Sequence, residues 1–127
     1  MKTMKLLFIL PLFLLVSSSS AQDPAQPNGI ENAITVTVRI NGDCDMCKTR
    51  IDKAGSVKGE AEVDWDTDAK TARVTYDSTR TDLDAILQRV ADAGYDTERF
   101  RATDAAYRAL PGCCQYDRGV SPEPSAK

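Results

Sequence analysis

Residues Ala33–Gly55 read AITVTVRINGDCDMCKTRIDKAG, and within them one periodicity gives way to another. Ile34, Val36, Val38 and Ile40 alternate with Thr35, Thr37 and Arg39, the pattern of a half-buried strand. From Cys47 the apolar spacing becomes i, i+4, i+7: Cys47, Ile51 and Ala54 make one stripe of a short helix that Gly55 ends. The junction between the two carries Cys44 and Cys47, three residues apart.

Downstream, Ala61, Val63 and Trp65 alternate, as do Ala72, Val74 and Tyr76, with the polar turn-former DTDAK between them, so a hairpin is expected with Trp65 and Tyr76 on its apolar face. TDLDAILQRVADAG (81–94) predicts a second helix. Thr81 with Asp84 forms a capping-box-like start, Leu83, Ile86, Leu87 and Val90 form the buried stripe, and Gly94 is the stop. YDTERF reads as a short last strand. The order β-α-β-β-α-β is the split arrangement of ferredoxin-like domains: an α+β fold with a four-stranded antiparallel sheet and two helices on one face. TDAAYRALPG then predicts a short C-terminal helical extension, stopped by Pro111, that delivers Cys113 and Cys114.

Upstream, Lys2 and Lys5 precede the apolar run LLFILPLFLLV and the small residues SSSSA, the form of a signal peptide over 1–21. The residue after it is Gln22, so a lipid-anchoring cysteine is not expected there, and no later segment is apolar enough to insert in a membrane. The expected organisation is a signal peptide (1–21), a flexible Pro- and Gln-rich leader (22–32), the domain (33–101), the helical extension with Cys-Cys (102–116) and a disordered tail (117–127). Without the two signal lysines, 14 basic residues face 19 acidic ones, a charge of −5. That balance argues against nucleic acid as a partner. Carboxylates are scattered and histidine is absent, so no acid–base constellation indicates an enzyme.

Two cysteines at i and i+3 can aim at one point when the first lies in a loop and the second opens a helix. The free N–H groups and partial positive charge of the helix start favour thiolate. Soft thiolates select ions such as Cu(I), Hg(II) or Zn(II), and two of them suit the linear geometry of Cu(I) and Hg(II); zinc normally takes four ligands. The competing readings are a short structural disulfide, the default for an even cysteine count in an exported chain, and a thioredoxin-like redox pair. The body of the domain holds no proline, and no aromatic precedes Cys44, so the redox motif lacks its usual setting.

The segment Ile34 to Phe100 resembles a heavy-metal-associated domain, on three features: GDCDMC after the first strand, VDWDTDAKTARVTYD as the central hairpin and ADAGYD closing the second helix. The resemblance implies a carrier, not an enzyme, that binds a soft ion through Cys44 and Cys47. It implies Cu(I) first, with Hg(II) or Zn(II) as alternatives, and delivery to a metal-transporting ATPase or efflux system. With the signal peptide, it implies a periplasmic or secreted protein. The usual family loop reads Gly-Met-Thr/His-Cys-x-x-Cys, its methionine buried beneath the loop; here Asn41, Gly42 and Asp43 stand in those three places. Met46 lies between the cysteines instead, either exposed or a weak third ligand. Asp43 adds negative charge beside the thiolates, and Tyr95 matches a family position whose side chain approaches the metal loop.

Cys113 and Cys114 admit three readings: a vicinal disulfide, a redox cross-link to Cys44 or Cys47, or extra thiolates for the metal. The alternative function is therefore a thiol–disulfide redox protein using Cys44/Cys47 with Cys113/Cys114.

Overall fold

The computed structural model describes residues 29–119. The expected signal peptide and most of the expected leader and tail lie outside the described residues. Among those described, no helix is long and apolar enough to cross a membrane.

The elements are strand β1 (Ala33–Arg39), helix α1 (Asp45–Gly55), strands β2 (Ala61–Asp66) and β3 (Thr71–Asp77), helix α2 (Leu83–Asp92), helix α3 (Asp104–Arg108) and a 3-10 turn at Gly112–Cys114. β3 lies between β1 and β2, antiparallel to both, so that Val74 is opposite Val36 on one side and Val63 on the other. The hairpin closes where the Asp66 carboxylate accepts from the N–H groups of Asp68 and Ala69, both at 2.8 Å. α1 packs on β2 and α2 on α1. Val38, Ile40, Ile51, Val63, Trp65, Val74, Ile86, Leu87 and Val90 form the core. Burial along β1 is graded rather than uniform: Val38 and Ile40 are buried, Val36 is half-buried and Ile34 is 43% exposed. The apolar side of β1 is thus covered only at the end nearest the cysteine loop.

Among the described residues, the expected four-stranded sheet has three strands. Of the fourth, one bridge remains, Ile40 to Thr97, flanked by Asn41 N–H to Asp96 O (2.8 Å) and Glu98 N–H to Arg39 O (3.0 Å). The cause is Thr97. Its hydroxyl accepts from the N–H groups of Arg99 (3.2 Å) and Phe100 (2.9 Å), which turns the chain away from β1. Glu98 then supplies its side chain in place of a carbonyl, accepting from Arg39 N–H at 3.0 Å. The start of α2 also differs from expectation: Asp82, not Thr81, is the cap, accepting from Ala85 N–H at 2.8 Å.

The opposite sheet edge, β2, is closed by α1. Ser56 Oγ accepts from Val63 N–H (2.9 Å), Asp52 Oδ1 from Trp65 N–H (2.8 Å), and Lys48 Nζ donates to Trp65 O (2.9 Å). Satisfying these main-chain groups with helix side chains blunts an edge that would otherwise invite another strand.

After α2 the chain folds back on the domain. Gly94 turns it with φ +110°, and a Cβ there would lie 2.8 Å from Ala106 O and 2.9 Å from Leu110 Cδ2, so glycine is required for conformation and for the close approach alike. The returning segment is then latched. Tyr116 Oη accepts from Asp96 N–H (2.8 Å) and donates to Gly94 O (2.9 Å), while Tyr107 Oη donates to Tyr116 O (2.6 Å). Arg118, assigned to the tail on sequence, donates through Nε (2.9 Å) and Nη2 (2.7 Å) to the buried Asp96 carboxylate and lies over the Tyr107 ring at 4.7 Å. Ile30, assigned to the leader, is 1% exposed.

Candidate metal centre

Cys44 is the residue capping α1, and Cys47 lies in its first turn. β1 and the short loop after it bring them to one end of the sheet, where the folded-back segment sets Cys113 and Cys114 against them. Cys44 Sγ is 3.7 Å from Cys47 Sγ, 3.4 Å from Cys113 Sγ and 3.8 Å from Cys114 Sγ. Cys113 and Cys114 Sγ are 3.9 Å apart, and all four thiols are free. The sulfurs of Cys44, Cys47 and Cys114 all lie within 4.8 Å of one another. Cys47 and Cys114 are fully buried, Cys44 is half-buried and Cys113 is exposed.

The helix start acts on Cys44 as the spacing requires. Without closing a capping hydrogen bond, the Cys47 N–H holds the Cys44 thiol down to about 7 against an ordinary 9.0; burial opposes this, and the neighbouring thiols of Cys113 and Cys47 assist. Contact with Cys44 pushes Cys113 up. Burial, reinforced by Cys47, pushes Cys114 up to about 12.

The remaining candidates divide. Met46 is 49% exposed, with Sδ 3.9 Å from Cys113 Sγ, at the rim of the cluster. Asp43 faces solvent, and its carbonyl accepts from Lys70 Nζ at 3.2 Å. Tyr95 is fully buried, with its hydroxyl beside Cys114 and Cys47 but in hydrogen-bonding geometry with neither. Burial drives its pKa far up, so it stays a neutral hydroxyl with a proton to donate.

Two supports were not foreseen. Gly42 leaves the space in which Trp65 sits: a Cβ there would be 2.8 Å from Trp65 Cζ2 and 3.2 Å from Ile51 Cδ1. The indole, tied by Nε1–H to Ile40 O at 2.9 Å, packs directly against the loop at Gly42. Tyr116 is the other. It stacks with Tyr95 at 6.0 Å and carries the turn bearing Cys114 into register with α1. Gly42 aligned on a bulky position was the signal for the first, since a buried void must be filled from elsewhere.

Residues 37–96 match the model of the heavy-metal-associated domain. The mercuric transport protein periplasmic component of Pseudomonas aeruginosa is 36% identical over 63 residues, covering 48% of this chain and 69% of that protein. Copper chaperone CopZ of Staphylococcus haemolyticus is 27% identical over 67 residues, 51% of this chain and 98% of that one. The solution structure of a candidate copper-ion-binding protein from Bacillus anthracis is similar with a TM-score of 0.48 at 25% identity, over 52% of this chain and 96% of that chain. Cys113 and Cys114 lie beyond the residues matched by the family model.

Proposed function

Because the chain belongs to the heavy-metal-associated domain family, we propose that it is an exported protein that binds one soft metal ion through Cys44 and Cys47 and carries or sequesters it. The observation that carries this reading is the placement of the two sulfurs 3.7 Å apart at the start of α1, where the Cys44 thiol is lowered to about 7. An ion bound there exchanges thiol protons for metal–sulfur bonds, and the positive end of the helix offsets part of the thiolate charge. Cu(I) is the first candidate and Hg(II) the second; relatives named for mercuric transport and for copper chaperoning support that class. The periplasmic name of one relative supports export, with a metal-transporting ATPase or efflux system as the recipient.

Anaerobic titration with Cu(I) against a chromophoric competitor tests the reading. Cys44→Ser and Cys47→Ser are each expected to lose tight binding by more than the roughly 10–100-fold that a lost outer partner costs. Full binding by the double serine variant would sink it. The 3.4 Å contact of Cys44 with Cys113 favours a second reading, a thiol–disulfide redox protein. An insulin-reduction assay separates the two, because only the redox protein turns over.

A further inference from the structure

We propose that Cys114 is the third thiolate of the centre, so that the ion sits in a triangle of Cys44, Cys47 and Cys114 while Cys113 stays outside it. This rests on the reading of Cys44 and Cys47 as metal ligands and names what the family-matched residues do not contain. The geometry is direct: these three sulfurs lie within 4.8 Å of one another, close enough to share one ion, and Cys114 is fully buried, facing the other two rather than solvent.

A second observation points the same way. The Tyr95 hydroxyl is buried, lacks a partner among the described residues and has Cys47 and Cys114 as neighbours. An unpaired buried hydroxyl is costly, and one beside two neutral thiols gains little from them. Beside two metal-bound thiolates it donates to a charged acceptor, the stronger kind of hydrogen bond. The structure thus provides both the third sulfur and a donor placed to stabilise it. The latch of Tyr116 and Arg118 on Gly94 and Asp96 holds Cys114 there before any ion arrives. Such a site is preorganised rather than assembled by its cargo.

Loading moves no electrons. Each S–H bond that breaks is replaced by a metal–sulfur bond, and its proton goes to solvent. A third thiolate changes the outcome: ions that accept trigonal sulfur coordination are retained, and removal by a competitor with two thiols must break one more bond. The balance therefore tilts from passing an ion onward to keeping it.

X-ray absorption on the whole chain loaded with one equivalent of Hg(II) is the test, because Hg(II) settles for two sulfurs unless a third is held in place. Three sulfur neighbours are expected in the native chain and in Cys113→Ser, and two in Cys114→Ser, with faster release to a dithiol competitor in the last. Two sulfurs in the native chain would overturn the proposal whether or not the variant folds, as would three in Cys114→Ser. Neither result touches Cys44 and Cys47. Failure of the underlying reading shows separately, as full binding by their double serine variant.

Discussion

Cys44 and Cys113 lie in contact, yet their surroundings pull them in opposite directions. In the reduced, metal-free protein, iodoacetamide should therefore modify Cys44 with a pH midpoint of about 7, ahead of the more exposed Cys113, whose midpoint lies above 9.0. Rate against pH with mass mapping checks this; reversal of the order would show that the helix start does not govern Cys44. Gly42 supplies the second expectation at this scale. Gly42→Ala drives a methyl into Trp65 and should destabilise by about 1–3 kcal/mol, read as a lower urea midpoint with an unchanged slope. The placement of Cys44 and Cys47 at the start of a helix was legible in the sequence because it depends on local spacing. Trp65 as the loop support was not, because its contact with Gly42 exists only once α1 lies on β2 and the hairpin end reaches the loop.

Among the elements, those that stand alone were readable and those that depend on a neighbour were not. β1, α1, the hairpin and α2 announce themselves by periodicity, and all are present. The last strand fails because a threonine hydroxyl competes for the same main-chain N–H groups, a contest that residue pattern does not display. The seam between α1 and β2 is a tertiary device of the same kind. Asp52→Ala removes the acceptor of Trp65 N–H and one partner of Lys48. It should cost about 1–3 kcal/mol through the unmet donor, and hydrogen exchange at Trp65 should rise. The turn after β3 gives a pH dependence. The Thr79 hydroxyl, with its N–H, holds the Asp77 carboxyl below its ordinary 3.8. A carboxyl lowered in the fold contributes stability that is full above 3.8 and lost as pH falls through the lower folded value. Asp77→Asn should therefore lower the melting temperature above pH 3.8 and flatten the acid limb of its profile, converging with the native chain at the lowest pH.

At the scale of the molecule, the returning segment makes one body of what the sequence divides in two. Its helix and its cysteines could be read from TDAAYRALPGCC, but the latch could not, since Asp96, Tyr116 and Arg118 look like ordinary surface residues until the chain doubles back. Breaking it should be costly. Arg118→Ala leaves the Asp96 carboxylate buried without its main partner, and loss of such a pair runs to about 3–5 kcal/mol. Chemical denaturation measures that loss, and limited proteolysis should find the new cleavage sites beyond Leu110. The single tryptophan of the chain stands beneath the cysteine loop rather than in some remote part of the core. The protein consequently carries its own optical reporter: ultraviolet emission from that one indole should dim or change colour as the sulfurs fill, so occupancy can be followed in unlabelled material.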